Sequence, residues 1–361
     1  MRLRGFSLLS TAGIVAALFL TPAQAQTQTL IVGALHVGSV NDSGYNQAMH
    51  EGLLNMQANL PGVKVIEAEQ VPESADSERV MENMIAQGAK LVFPQSFGYL
   101  DPALNVAQRH PDVMFEHPAG YKQSANLGTF WSDTTSYEYL LGQVAGKSTK
   151  TNKLGWIIGF PIPNILTSIN AFQLGALSVN PNATTQVIVD NTWVDPAKEA
   201  EAVNALADNG VDVVTMIVDS PSTVIQTAEA RGIMSIGFHC LCAQNAAGEH
   251  WLTGVGFTWG PLFTRMAQQV MSGTWQSSND VGSLASGYAA LAPYGPLVSE
   301  DTRALVEASK ASLISGELEV FRGPIVDNTG KVRIPEGQIG NFGDLLNTTD
   351  WLVKGASGQI S

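Results

Sequence analysis

Short apolar runs alternate with segments of helical length from Leu30 onward. Leu30 to Val37 is almost entirely apolar, which is typical of a buried strand, and a helix is predicted from Asn46 to Asn59. The same unit then repeats, with strands predicted at residues 63–68, 89–94 and 113–116 and helices at residues 77–87 and 101–109. Strands interleaved with helices in this way predict a parallel sheet with helices on both faces.

A second series with the same rhythm begins after a polar stretch at residues 147–153. Its predicted strands are residues 154–159, 185–189, 211–218 and 234–238, and its predicted helices are residues 165–179, 196–209 and 222–230. The sequence therefore predicts two α/β lobes, at residues 26–150 and 151–257. We expect part of residues 258–300 to complete the first lobe and part of residues 301–361 to complete the second.

The regular alternation weakens after His250. A strand is predicted at residues 252–257, and helices are predicted at residues 262–272 and 301–315. A hairpin is predicted over residues 320–335, around the turn residues Asn328-Thr329-Gly330.

The first 25 residues carry the pattern of a secretory signal peptide. Arg2 and Arg4 precede an apolar run from Phe6 to Leu20, which is too short to span a bilayer. The small-x-small site that ends at Ala25 favours cleavage after that residue. We therefore expect export to the periplasm if the cell is Gram-negative, with a retained membrane anchor as the alternative.

The charge balance is acidic, with 19 basic and 32 acidic residues in the whole chain. Removing Arg2 and Arg4 leaves 17 basic against 32 acidic residues, a net charge of -15, and no basic run remains. Binding to nucleic acid or to an anionic membrane needs clustered Lys or Arg, so the composition argues against both.

The two cysteines, Cys240 and Cys242, stand in a Cys-Leu-Cys segment. Neighbouring same-face side chains on a strand are poorly placed for a disulfide, so we favour a pair of loop thiols, with an oxidised pair as the alternative that export would allow. Zinc would need two further ligands, for which His239 and His250 are the nearest candidates. No phosphate-binding loop, nucleophile elbow or zinc-protease motif is present, and we predict no metal, no cofactor and no enzymatic activity.

Aromatic residues follow nearly every predicted strand, although they make up only 7% of the chain. In an open parallel sheet, ligands bind beyond the carboxyl ends of the strands. Rings at these positions suit a planar ligand, because stacking adds to the burial of apolar area. The candidate ligand-binding residues are Asp42, Tyr45, Asn46, Phe97, Trp131, Phe160, Trp193, Asp219, Phe238 and Trp259.

Each candidate also has a purely structural interpretation. The rings could fill the cores of the lobes, since aromatic burial is ordinary. Asp42 could serve only as the N-cap of the first helix, and Asp219 as the cap of a helix that begins near Ser222. For Trp259, which precedes a helix-starting Gly-Pro pair, we favour a ring that projects into the cleft.

Segments spread over most of the chain together resemble the basic membrane protein (BMP) family of ABC-transporter substrate-binding proteins, of the purine-binding type. These segments are residues 42–52, 115–121, 159–163, 170–175, 179–182, 193–199 and 259–261. The resemblance implies the periplasmic binding protein type 1 fold, with a ligand cleft between two lobes. It also implies purine nucleosides or free purines as ligands, and an ABC permease with its ATPase as partners.

The chain departs from the nucleoside-binding members of that family in two places. Asp42, Tyr45 and Asn46 match the Asp, aromatic residue and Asn of their first motif. Their Gly-Val-Asp, whose acid is associated with the ribose, reads Gly237-Phe238-His239 here, and a lysine is replaced within residues 255–259. These changes remove partners for sugar hydroxyls and add rings, so we favour a free nucleobase such as adenine over a nucleoside.

We therefore predict a monomeric periplasmic binding protein of an ABC importer, which holds a purine by aromatic stacking. The alternative is a periplasmic sensor that signals through a membrane receptor, which the chain alone does not separate from a transport subunit. A secreted nucleoside hydrolase is disfavoured, because such chemistry needs placed carboxylates or a metal.

Overall fold

A computed structural model describes Met1 and residues 29–360 of the chain. The predicted signal peptide and its cleavage site lie outside the described residues. Within the described part, no helix is both long enough and apolar enough to cross a membrane.

The strands and helices up to residue 118 follow the predicted order, whereas the strand and the helix between residues 127 and 148 were not predicted. The strands are β1 (Leu30–His36), β2 (Val63–Ala68), β3 (Ala89–Gln95), β4 (Met114–Pro118) and β5 (Leu127–Ser132). The helices are α1 (Tyr45–Asn59), α2 (Ala75–Ala86), α3 (Leu100–Arg109) and α4 (Thr134–Ser148).

The second series repeats this arrangement. Its strands are β6 (Lys153–Ile158), β7 (Thr184–Val189), β8 (Val213–Ile217), β9 (Met234–Gly237) and β10 (Trp251–Phe257). Its helices are α5 (Pro163–Val179), α6 (Pro196–Asp208) and α7 (Pro221–Arg231), each with a proline in its first turn, where the missing N–H leaves no hydrogen bond unmade.

The described residues from 260 onward supply three α-helices and five short strands. They are α8 (Gly260–Ser272), β11 (Asn279–Gly282), β12 (Ala289–Leu291), α9 (Glu300–Ser315), β13 (Ile325–Val326), β14 (Val332–Ile334), α10 (Phe342–Thr348) and β15 (Ala356–Ser357). The helices predicted at residues 262–272 and 301–315 are confirmed by α8 and α9. The predicted hairpin is confirmed by the antiparallel pair β13 and β14.

Two sheets organise the molecule, and we refer to each sheet with its helices as a lobe. The first has the order β11-β5-β4-β3-β1-β2, and every neighbouring pair is parallel. The second has the order β12-β10-β9-β8-β6-β7-β15, parallel except for the edge pair β10 and β12. The late strands thus join both sheets, whereas the exact lobe boundaries stay a prediction.

Helix α4, which leads from the first sheet into the second, was missed by the sequence analysis. Twelve of its fifteen residues are buried, so it lacks the polar face that makes a helix recognisable from its periodicity. It packs closely on α5, where a Cβ added at Gly142 would lie 2.0 Å from the Phe172 carbonyl oxygen. Small residues at this crossing therefore allow the two backbones to approach each other.

Cys240 and Cys242 form a disulfide, so the prediction of two free loop thiols was wrong. The prediction assumed the spacing of an extended strand. Instead, His239 takes a left-handed conformation with a φ of 71° and the chain turns into a short 3-10 helix, Leu241–Ala246. The turn brings the two Cα atoms to 5.0 Å, a separation that a disulfide can bridge.

Candidate functional site

A narrow cavity lies between the two lobes, at the carboxyl ends of their strands. Its volume, counted as space open to the centre of a water molecule, is about 50 Å³. One water needs roughly 10 to 15 Å³ on this measure, so the cavity has room for a few waters or a thin, flat group. Its walls are formed by Tyr45, Ser96, Phe97, Pro118, Ala119, Trp131, Thr134, Ile162, Asn164, Ile165, Ser168, Trp193, Ile217, Asp219, Phe238 and His239.

The first lobe contributes rings from three different segments. Tyr45 is the first residue of α1, Phe97 follows β3, and Trp131 belongs to β5. Because parallel strands present their carboxyl ends at one edge of the sheet, these separate segments meet at a single surface.

The second lobe forms the opposite wall of the cavity, also with residues that follow its strands. Trp193 follows β7, Asp219 follows β8, and Phe238 and His239 follow β9. The rings of Tyr45 and His239 meet edge to face across the cleft, with their centroids 5.2 Å apart. Aromatic side chains of both lobes are therefore in contact at the cavity.

His239 is a buried polar side chain in the cavity wall. Neither of its ring nitrogens has a hydrogen-bond partner among the described residues, although the side chain is only 4% exposed. Burial lowers the pKa of the His239 imidazole to about 3, so the ring is neutral at physiological pH. A neutral imidazole offers one N–H donor and one nitrogen acceptor, and buried polar groups normally have such partners.

Among the described residues that form the cavity wall, Asp219 carries the only acidic side chain. Its backbone N–H donates to the Trp193 carbonyl at 2.9 Å, and its own carbonyl accepts from the Tyr45 N–H at 3.2 Å. Burial, and then the nearby charge of Asp42, raise the pKa of the Asp219 carboxyl well above its usual value. The capping interpretation is disfavoured, because the N-cap of α7 is Ser220 and no side chain caps that helix.

Asp42 and Asn46 lie behind the cavity wall. The Asp42 carboxylate accepts hydrogen bonds from the backbone N–H groups of Gly44, Asn46 and Gln47, at 2.8 to 3.0 Å. The Asn46 side chain donates to Asp42 at 2.7 Å and, at 3.4 Å, to Asp219. Asp42 therefore caps the start of α1, and Asn46 connects it to the carboxyl group that faces the cavity.

Phe160 and Trp259, two other predicted site residues, also lie outside the cavity wall. Phe160 supports Trp193, with the ring centroids 4.9 Å apart. Trp259 is 1% exposed and stacks on Phe257 at 4.6 Å, while its ring is 6.2 Å from that of Trp131. Contrary to the prediction, the Trp259 ring therefore does not project into the cleft. It lies in the core, behind the cavity wall.

Some wall residues were not among the ten candidate ligand-binding residues. The polar ones are Ser96, Thr134, Asn164, Ser168 and His239, of which Ser96, Asn164 and His239 follow predicted strands. Two signals in the sequence indicated His239: its position after a predicted strand, and the family resemblance, in which it replaces the acid of a Gly-Val-Asp motif.

A larger cavity adjoins the first and shares Phe97, Ala119, Trp131 and Asn164 with it. Its volume on the same measure is about 520 Å³, and residues of α10 form part of its rim. These four residues therefore form walls of both cavities.

Comparison with known proteins assigns the chain to a family. The model of the Bmp family, described as ABC transporter substrate-binding protein, PnrA-like, matches residues 30–319. The chain belongs to this family. The Bmp family and the periplasmic binding protein type 1 fold, both implied by the sequence resemblance, are confirmed.

Three individual proteins illustrate what this Bmp protein is similar to. A purine-binding protein of Brucella abortus is 36% identical over 348 residues, which cover 96% of this chain and 98% of the relative. A putative ABC transporter glucose-binding protein of Haloferax volcanii is 31% identical, over 92% of this chain and 82% of the relative. A solved ABC transporter solute-binding protein of Conexibacter woesei has a TM-score of 0.65 and 25% identity, over 81% of this chain and 98% of that one.

The family gives the protein its general role. It is an ABC transporter substrate-binding protein, and proteins of this kind bind small-molecule ligands and work with a permease and an ATPase. Such proteins are usually periplasmic or extracellular.

Proposed function

We propose that this Bmp protein binds a purine, as a free nucleobase such as adenine, and delivers it to an ABC permease. The observation that carries the proposal is the composition of the narrow cavity, which combines facing rings with Asp219 and the unpartnered His239. Rings bind the faces of a planar heterocycle, and the two polar side chains suit the alternating N–H and nitrogen groups of its edge.

The choice of nucleobase over nucleoside is supported by the size and chemistry of the cavity. A space of about 50 Å³ is narrow, and His239 stands where nucleoside-binding relatives have the acid associated with ribose. A neutral imidazole offers a single acceptor, whereas a carboxylate has two oxygens that accept hydrogen bonds from neighbouring sugar hydroxyls.

We assign roles to the ten candidate residues on the same basis. Six of them contact the ligand in this proposal: Tyr45, Phe97, Trp131, Trp193, Asp219 and Phe238. Asp42 and Asn46 position α1 and the Asp219 carboxyl, and Phe160 supports Trp193. Trp259 supports Trp131 from the core.

A sugar is the second candidate ligand, because one relative is named as a putative glucose-binding protein. The relative named as purine-binding has the higher identity and covers more of the chain. Flat rings bind the faces of sugars as well as of purines, which is why the test below distinguishes a hexose from a purine.

We also propose that the protein is exported, with cleavage after Ala25, and acts as a monomer. The basic and apolar pattern of residues 2–25 supports export, as does the usual location of the family. Intact mass of the protein purified from its native host measures the N-terminus, and light scattering measures the oligomeric state.

Mass spectrometry of the ligand released by denaturing the purified protein tests the proposed ligand. We expect adenine or another free purine in near-stoichiometric amount. Release of a hexose without any purine would replace the purine proposal with the sugar one.

A further inference from the structure

A carboxylate and two sulfurs lie together at the contact between the lobes. The side-chain atoms of Glu51, Cys240 and Cys242 that could bind a metal are all within 4.8 Å of one another. The two histidines that the sequence offered as zinc ligands are not part of this cluster. His239 lines the cavity, and the His250 side chain contacts Glu229. The third potential ligand comes instead from a helix almost two hundred residues away in the chain.

The three residues join the two lobes. Glu51 is on α1 of the first lobe, and the cysteines follow β9 of the second. The same two segments supply Tyr45 and His239, whose rings meet across the cavity. A ligand held by the three side chains would therefore connect the segments that close the cavity.

The sulfurs are bonded to each other in the disulfide and bind a metal only as thiolates. A dithiol reductant transfers two electrons and two protons to the disulfide, which becomes two thiols, while the reductant becomes a disulfide. Metal binding then releases the thiol protons to solvent. Two thiolates and one carboxylate are a ligand set that zinc accepts, and a water would complete its four-coordinate geometry.

We propose that reduction of the Cys240–Cys242 disulfide creates a zinc site, in which both thiolates and the Glu51 carboxylate bind Zn²⁺ across the lobe contact. Glu51 is exposed and Cys242 is half-buried, so the ion can reach the site from solvent. Gln47 on the preceding turn of α1 donates a 2.9 Å hydrogen bond to Glu51 and orients the carboxylate.

Titration of the reduced protein with Zn²⁺ alone tests the site. The protein is reduced with dithiothreitol, the reductant is removed under anaerobic conditions, and binding is followed by calorimetry. We expect one equivalent of Zn²⁺ in the reduced protein and none at this site in the oxidised protein. Cd²⁺ in place of Zn²⁺ should give the ultraviolet charge-transfer absorption of a cadmium thiolate.

Variants separate the carboxylate from the thiols. Glu51→Gln should weaken Zn²⁺ binding at least tenfold, whereas the exposed Glu336→Gln should leave it unchanged. Cys242→Ser should abolish one-equivalent binding, and Cys240→Ser is the second variant if the first does not fold. Equal Zn²⁺ binding by oxidised and reduced protein, or binding that is unaffected by Glu51→Gln, would overturn the proposal.

Discussion

Asp219 is the side chain on which the recognition of a purine edge depends in this account. It follows an apolar strand, lies at the lobe contact and is 4% exposed. Because burial and the charge of Asp42 raise the pKa of its carboxyl, the carboxyl stays neutral over a wider pH range than usual. Ligand N–H groups would stabilise its ionised form.

Replacing Asp219 with Asn should weaken adenine binding by about 1.5 to 3 kcal/mol, because a charge-assisted hydrogen bond is lost. The melting temperature without ligand should not fall, since Asn keeps the shape and has no charge to bury. Calorimetry gives the affinity, and thermal unfolding of the ligand-free variant is the control. Near-native affinity would remove Asp219 from the proposed site.

Replacing Trp193 and Trp259 with Ala separates a ring in the cavity wall from a ring in the core. Trp193→Ala should weaken ligand binding at least tenfold, about 1.4 kcal/mol, with a small loss of stability, because Trp193 is a half-buried wall residue. Trp259→Ala should instead lower the free energy of unfolding by about 3 to 5 kcal/mol, because its ring is part of the core. Calorimetry measures the affinity, and denaturant unfolding measures the stability. A loss of affinity for Trp259→Ala and a loss of stability for Trp193→Ala would show that Trp259, and not Trp193, contacts the ligand.

The sequence could indicate site residues only through their position at strand ends. Tyr45 and Trp193 follow strands and do lie at the cavity. Trp259 also follows a strand, but its ring packs between Phe257 and Phe263, and the direction of a side chain in a loop depends on contacts distant in sequence. His239 shows the reverse case, because its left-handed backbone, which turns the ring into the cavity, has no sequence signal.

At the scale of elements, periodicity predicted most of the strands and helices but not how they pack. Helix α4 was missed because burial on nearly all sides leaves no polar stripe. Strands β11, β12 and β15 are two to four residues long, too short for a periodic pattern, and they join the sheets by pairing with strands distant in sequence.

One contact between elements gives a pH-dependent prediction. Glu116 on β4 is 3% exposed and accepts a 2.7 Å hydrogen bond from the Trp275 indole, which follows α8. Burial raises the pKa of Glu116 to about 8. A carboxyl whose pKa is higher in the folded than in the unfolded protein stabilises the fold at low pH. That contribution is lost as pH rises from the usual pKa of a carboxyl through about 8.

Glu116→Gln should therefore raise the free energy of unfolding by about 1 kcal/mol or more at pH 8 to 9, and much less at pH 5. The amide oxygen of Gln can still accept the indole N–H, and the variant has no charge to bury. Chemical denaturation at both pH values measures the difference. An equal change at the two pH values would show that Glu116 does not titrate in this range.

At the scale of the whole molecule, the lobes meet without space for an added methyl group at Gly44. A Cβ there would lie 1.9 Å from the Asp219 carbonyl oxygen and 2.3 Å from Pro221 of the other lobe. The contact between the lobes therefore leaves room at residue 44 only for glycine.

Gly44→Ala should hold the lobes apart and weaken ligand binding at least tenfold, while each lobe stays folded. Small-angle X-ray scattering should give a larger radius of gyration for this variant with ligand than for the wild type. Gly343→Ala is the control, because its added Cβ meets nothing closer than 3.4 Å. Wild-type scattering and affinity for Gly44→Ala would mean that ligand binding does not require this contact.

Calorimetric titration of the purified, ligand-free protein with adenine, adenosine and glucose tests the central claim most directly. The account predicts one binding site, with adenine bound at least tenfold more tightly than adenosine and no measurable heat of binding for glucose. The rings, Asp219 and His239 would then act on a flat, sugar-free ligand. Tight binding of glucose without binding of adenine would contradict the purine assignment.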